Sequence, residues 1–188
     1  MDKQTEEILQ KIEEAEYVLV GLGQEFDMEF FLQSREDYRR IREQLQQQNV
    51  LWLLPYVEEH FRRQYLPEME AEIEKGLQKL AEVLEKKSYF VVSSSLNHKL
   101  AEVPWKKMLL KKERFVAPCG DWTKKQCPDG CEEGIQTVTE ADEEQLQESF
   151  KKLQTNGFSV PDLGKCPKCG KKLVLNNVYA GRYDEKGY

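Results

Sequence analysis

Tyr17-Val18-Leu19-Val20-Gly21-Leu22-Gly23 and Tyr89-Phe90-Val91-Val92-Ser93-Ser94-Ser95-Leu96-Asn97-His98 are the stretches that decide the fold. Each opens with four apolar, β-prone residues in unbroken succession, the pattern of a strand buried on both faces. Each then runs into a turn of small or polar residues. Gly21 and Gly23 let the backbone approach a ligand or a neighbouring element closely. Ser93, Ser95, Asn97 and His98 supply polar handles, with His98 placed at a pocket rim. Two such strands joined by a helical crossover predict a parallel α/β sheet, and ligands in such sheets gather at the carboxyl ends of the strands.

The crossover is the stretch from about 37 to 86. Tyr38, Ile41 and Leu45 mark one helical stripe, and Leu51, Leu54, Val57 and Phe61 a second, broken near Pro55. Pro67 opens a long helix carrying Met69, Ile73, Leu77, Leu80 and Leu84 at spacings of three and four. These stripes read as core. Upstream, residues about 4 to 15 carry Ile8, Leu9, Ile12 and Ala15 on one face of an amphipathic helix with an acidic start. Downstream, Phe115-Val116-Ala117 is a candidate third strand.

From Cys119 onward the texture changes. Cys127-x3-Cys131 and Cys166-x2-Cys169 are two tight pairs, the second within Lys165-Cys166-Pro167-Lys168-Cys169-Gly170. The Pro and Gly turn the backbone so that both thiolates face one ion, and four sulfur ligands complete a closed tetrahedral zinc site. Buried core cysteines are usually single, and an acidic, charge-rich chain is unlike a small disulfide scaffold. The pairs therefore predict structural Zn2+ on Cys127, Cys131, Cys166 and Cys169. Between them a helix is predicted from about 141 to 155, with Leu146, Phe150 and Leu153 on one face and Thr139 as its cap. Lys172-Leu173-Val174-Leu175 is the returning strand of a zinc ribbon.

The chain has 188 residues, net charge -6 and 33% charged residues. The acidic balance argues against a general nucleic-acid surface. No run of eighteen apolar residues occurs, which argues against a membrane span, and the polar, acidic start is unlike a secretory signal. A reducing cytoplasm is the expected compartment. His60 lies beside Glu58 and Glu59 in a helical pattern and reads as surface or half-buried. No Ser-His-Asp constellation with a nucleophile elbow is present. Glu143-Glu144 reads as a solvated helix face, as do Lys106-Lys107 and Lys111-Lys112 around Met108-Leu109-Leu110.

Strand with Gly-x-Gly, helical segment, strand with polar turn, short strand with x-Gly and then a two-plus-two cysteine ribbon is an order of parts that resembles the sirtuin family. These are NAD-dependent protein deacylases and ADP-ribosyltransferases, and the bacterial macrodomain-linked sirtuins are the most similar group. The resemblance runs from about residue 11 to the end. It is strongest at Tyr89 to His98 and at Gly164 to Tyr188, which includes Tyr183-Asp184-Glu185-Lys186-Gly187-Tyr188. It implies a partial Rossmann-like sheet over 1–118, with the helical segment inside it, and a zinc-ribbon module with an inserted helix over 119–188.

The resemblance also implies an NAD site on Gly21, Gly23, Ser93, Ser95, Asn97 and His98. The family's Gly-Ala-Gly-x-Ser reads here Gly21-Leu22-Gly23-Gln24-Glu25, with a carboxylate where phosphates would lie. Its Thr-Gln-Asn-Ile-Asp reads Ser93-Ser94-Ser95-Leu96-Asn97, and its catalytic His before Gly reads Cys119-Gly120. A cysteine there acts as nucleophile or base only with a lowered pKa, and its other reading is a small buried residue. Four intact metal cysteines beside altered chemical motifs predict a retained fold whose deacylase or ADP-ribosyltransferase activity is weak, altered or lost. The alternative is a non-catalytic, zinc-stabilised binding or regulatory module. A protein substrate or partner is expected. A small sheet with an open edge also calls for completion, by a missing C-terminal half or an oligomeric partner.

Overall fold

In the computed structural model, residues 3–100, 114–131 and 135–182 are described. β1 (Tyr17–Leu22) and β2 (Ser88–Ser93) run parallel, paired from Tyr17 opposite Ser88 to Leu22 opposite Ser93. β3 (Phe115–Val116) joins the far side of β2, also parallel, giving the order β1-β2-β3. The protein is thus mixed α/β with a three-stranded parallel sheet.

Burial on both faces, expected for β1, does not hold. Tyr17 is 73% and Leu19 75% exposed, and Phe90 beside them on β2 is 39% exposed. Only the alternate residues turn inward. Val18, Val20 and Leu22 with Tyr89 and Val91 pack on Leu77, Ala81 and Leu84 of the crossover. Among the described residues helices cover one face of this sheet, so an unbroken apolar run serves a strand that is buried on one side only.

The crossover holds α2 (Glu29–Leu32), α3 (Glu36–Gln47), α4 (Leu54–Tyr65) and α5 (Pro67–Leu84). The expected break at Pro55 falls earlier. The chain leaves α3 after Gln47 and makes a 3-10 turn over Leu51–Leu53, and Pro55 sits in the first turn of α4. There its missing N–H is harmless, because that group has no helical acceptor in any case. Pro67 opens α5 in the same way. The N-terminal helix α1 (Lys3–Glu14) forms where its periodicity places it, yet it buries no residue and leaves Ile8 51% exposed.

A second sheet is antiparallel. β4 (Gly120–Gln126) lies between β5 (Gln136–Thr137) and β6 (Val174–Asn177). The returning strand is therefore shifted two residues along from Lys172, which instead bridges Lys165. α6 (Glu140–Gln154) begins at the predicted cap as a reciprocal capping box: Thr139 Oγ1 accepts from Asp142 N, and Asp142 Oδ2 accepts from Thr139 N at 2.8 Å.

Two cores result. The larger joins Tyr38, Leu45 and Phe61 of α3 and α4 to Trp122, Phe150, Leu173 and Leu175, so it packs residues from both sides of position 118. Aromatic edges lock it, with Tyr56 5.3 Å from Trp122 and Phe61 6.1 Å from Phe150 between ring centres. The smaller core lies between α5 and the parallel sheet. No helix among the described residues is long and apolar enough to cross a membrane. The basic pieces at 106–107 and 111–112, and the stretch 183–188, lie outside the described residues.

Candidate functional site

The cysteine cluster is built by two similar turns. In each, a Cys-Pro opening and a glycine in the left-handed region bring the chain back on itself: Gly130 has φ +67° and Gly170 φ +74°. Gly130 N donates to Cys127 O at 2.9 Å, and Gly170 N to Cys166 O at 2.8 Å. Lys171 Nζ reaches Asp129 Oδ1 at 2.8 Å, tying one turn to the other. The ligand atoms of Cys127, Cys131, Cys166 and Cys169 all lie within 4.8 Å of one another. Cys127 and Cys166 are buried and Cys169 is exposed, so the cluster sits at the edge of the larger core.

The thiols compete for charge. Burial pushes Cys127 up, but the backbone N–H groups of Cys131 and Asp129 and the neighbouring thiols outweigh it and bring it down to about 6. Cys131 is pushed up to about 12, chiefly by its contact with Cys127. One negative sulfur makes the next harder to ionise, and a divalent cation is the charge that lets all four face each other deprotonated. Four sulfurs at this spacing, with no open ligand position among them, fit a structural metal.

The second group of residues gathers at the carboxyl ends of the parallel strands. Because β1, β2 and β3 point the same way, the turns containing Gly23, Ser95 and Cys119 all emerge at one end. Gly21 pairs with Val92, and a Cβ added there meets nothing within 4 Å. Gly23 N donates to Glu25 Oε1 at 3.3 Å, so the turn's own carboxylate takes the amide that an anion would use. Ser93 Oγ is buried and has no hydrogen-bond partner among the described residues. Ser95 Oγ donates to Asp27 Oδ1, and Leu96 N donates to the same oxygen at 2.8 Å. Asn97 Nδ2 donates to Phe26 O at 3.4 Å, while its Oδ1 accepts from Lys99 N at 3.2 Å. Ser95 and Asn97 thus hold the loop after β1 against the loop after β2.

Cys119 stands apart from the metal cluster, in the turn between β3 and β4. Its carbonyl accepts from Val178 N at 3.0 Å. His98 Nδ1 lies 2.8 Å from Glu59 Oε2 but has no hydrogen-bond partner among the described residues. Glu59 is fully buried, and Trp122 Nε1 donates to the same oxygen at 2.5 Å. Burial works against this charge, but His98, Trp122 and Arg63 outweigh it and bring the carboxyl down to about 2.

Several of these polar groups were not legible as a site. Asp27, Glu58, Glu59, Arg62 and Asp121 are all buried. Burial pushes Glu58 up to about 8, against the lowering effect of its hydrogen bond from Tyr38 Oη at 2.6 Å. Arg62 Nε donates to Glu70 Oε1 at 3.2 Å and its guanidinium also faces the Asp27 carbonyl. The available signal was that Leu54, Tyr56, Val57 and Phe61 surround the Glu58-Glu59 pair on more than one helical face. Next to this cluster lies a cleft of about 260 Å³, with Met28, Leu77 and Leu100 beneath and Arg63, Glu70, Asn97 and Lys99 around it. That is smaller than the roughly 300–1,000 Å³ that encloses a drug-sized ligand. No protein-family model matches the chain, and neither does any curated protein.

Proposed function

We propose that this chain is a zinc-stabilised, sirtuin-like domain that binds an NAD-type nucleotide at its strand ends, with deacylase or ADP-ribosyltransferase chemistry weak, altered or lost. The observation that carries the reading is the pairing of two features in one chain. A four-thiol cluster with ligand atoms within 4.8 Å follows three parallel strands whose carboxyl-end turns share one side. In this reading Zn2+ is bound by Cys127, Cys131, Cys166 and Cys169 and supplies structure. Gly21, Gly23, Ser93, Ser95, Asn97 and His98 face the nucleotide, and Cys119 replaces a catalytic base.

The internal contacts favour the second reading, a non-catalytic binding or regulatory module. Glu25 occupies the Gly23 amide, and Asp27 engages Ser95. A nucleotide would have to displace both carboxylates. The test is the thermal midpoint of zinc-loaded protein with NAD or ADP-ribose, because a ligand that binds only the native state must raise it. A rise that grows with ligand concentration supports nucleotide binding. No shift at millimolar ligand leaves the non-catalytic module.

A further inference from the structure

The two cysteine turns share a backbone design but carry opposite charge. Asp129 follows Cys127-Pro128, whereas Lys168 follows Cys166-Pro167. The second turn is basic throughout. Residues 164–173 contain Lys165, Lys168, Lys171 and Lys172 and no acidic residue, in a chain of net charge -6. All four lysines are exposed. The turn itself asks only for its cysteines, Pro167 and the left-handed Gly170, so its shape does not require the lysines.

Lys165 and Lys172 are antiparallel partners in an isolated bridge. The hydrogen bonds lie on either side of them: Cys166 N donates to Lys171 O at 2.8 Å, and Leu173 N donates to Gly164 O at 3.0 Å. That makes Lys165 and Lys172 a non-hydrogen-bonded pair, the kind whose Cα atoms stand about 4.5 Å apart and whose side chains come closest on one face. Like charges directly opposite each other are destabilising. Lys171 has a partner, Asp129 Oδ2 at 2.7 Å. Lys165, Lys168 and Lys172 have no ion-pair partner among the described residues. Asp162, the nearest acidic residue before them in the chain, accepts from Gly164 N at 3.1 Å.

We propose that this knuckle is a docking site for an acidic protein segment, its carboxylates held by Lys165 and Lys172 across the bridge and by Lys168 at the turn. The segment supplies the opposite charge that the bridged lysines lack, and the cysteine turn holds their backbones at a fixed spacing. A peptide fits better than a nucleic acid. The basic strip is only ten residues long and contains no aromatic residue on which bases would stack. The rest of the chain is acidic and repels a phosphate backbone that runs beyond the strip. The site uses none of the strand-end residues, so it stands apart from the nucleotide reading.

The test is fluorescence anisotropy of a labelled hexaglutamate peptide with the zinc-loaded full chain. Saturable binding is expected, weakening as salt rises from about 50 to 200 mM. Lys165→Glu with Lys172→Glu should weaken it roughly tenfold or more, because each reversal turns an attraction into a repulsion at contact distance. The same charge change on α6, Lys151→Glu with Lys152→Glu, should leave the affinity within about twofold. No saturable binding, or equal losses from the two double variants, overturns the proposal. Native mass spectrometry of the knuckle variant should still find one zinc per chain. Loss of the metal would assign the lysines to balancing the thiolates and overturns the docking site. The milder Lys165→Gln with Lys172→Gln should give a smaller loss of affinity, and no loss there overturns it too. A single-stranded oligonucleotide of the same charge should bind more weakly than the peptide. Tighter binding of the oligonucleotide overturns the proposal in favour of a nucleic acid.

Discussion

The antiparallel and parallel sheets have three strands each, and they solve the problem of a small sheet in opposite ways. In the antiparallel sheet the central strand is paired on both sides, Leu175, Asn176 and Asn177 of β6 are fully buried, and a cysteine cluster closes one end. In the parallel sheet β1 has, among the described residues, a neighbour on one side only, and Tyr17 and Leu19 on its outer face are exposed. A handful of strands cannot exclude water from both faces unaided, so closure has to come from elsewhere. The cysteine module finds it in the thiol cluster and in a core shared with α3 and α4. The parallel sheet finds it, among the described residues, on the α5 side. The same small strand count therefore gives one closed unit and one that, among the described residues, is open on a face.

Metal removal should break that comparison most severely. Cys127 and Cys166 belong to the larger core, so an ion holding them also holds Trp122, Leu173 and the helices packed on them. The protein is expected to carry one zinc per chain by native mass spectrometry. Chelation or Cys166→Ser should remove it and collapse the near-ultraviolet signal of Trp122, since structural zinc contributes on the order of 10 kcal/mol in small modules. A metal-free protein with an unchanged thermal midpoint would refute the structural role.

Buried charge pairs come next, one in each region. Lys125 Nζ meets Asp142 at 2.7–2.8 Å and the Leu163 carbonyl at 2.9 Å inside the cysteine module. Arg62 meets Glu70 beside the parallel sheet. Lys125→Met strands a carboxylate that burial disfavours and that Lys125 and the Thr139 cap hold ionised, so it should cost about 3–5 kcal/mol in urea unfolding. Arg62→Met should cost less, because Glu70 keeps Lys99 at 3.2 Å as a second cation. Equal losses would mean that the two regions are equally closed.

How much of this was legible follows from how local each signal is. The cysteine pairs and the Thr139 cap need only a few residues of context, so spacing alone located them. The strands were legible as strands, but an unbroken apolar run looks the same whether one face or both are covered, and Leu19 fell on the uncovered side. Glu58 and Glu59 were the least legible. Adjacent charges in a helix usually face solvent, and only tertiary packing, which brings Tyr38, His98 and Trp122 onto α4, makes them buried. Asp27 escaped notice for the same reason, since its partners lie on the loop after β2.

Those two glutamates also give opposite pH behaviour. Glu58 is raised from 4.5 to about 8, so the native state holds a proton that the unfolded chain releases. Its contribution is present below the unfolded value and is lost as pH rises through about 8, by about 1.4 kcal/mol per pH unit at most. Glu59 is lowered to about 2, so its contribution is present above 4.5 and is lost on acidification toward 2. Thermal midpoints between about pH 6 and 8 should therefore fall with rising pH, and Glu58→Gln should flatten that fall. A slope unchanged by Glu58→Gln would show that other groups set it.

The smallest effect is the sharpest test of the open sheet. Leu19 is 75% exposed on a strand, so Leu19→Thr exchanges one β-compatible residue for another with almost no burial to lose. It should move unfolding free energy by no more than about 0.5 kcal/mol. The solubility limit should rise, because the change interrupts an apolar strip of Tyr17, Leu19 and Phe90 beside a β1 edge that no further strand pairs among the described residues. A loss of about 2 kcal/mol or more would instead mean that this face is covered in solution, because only a buried leucine costs that much to shorten. The parallel sheet would then be as closed as the antiparallel one, by something packed over Leu19.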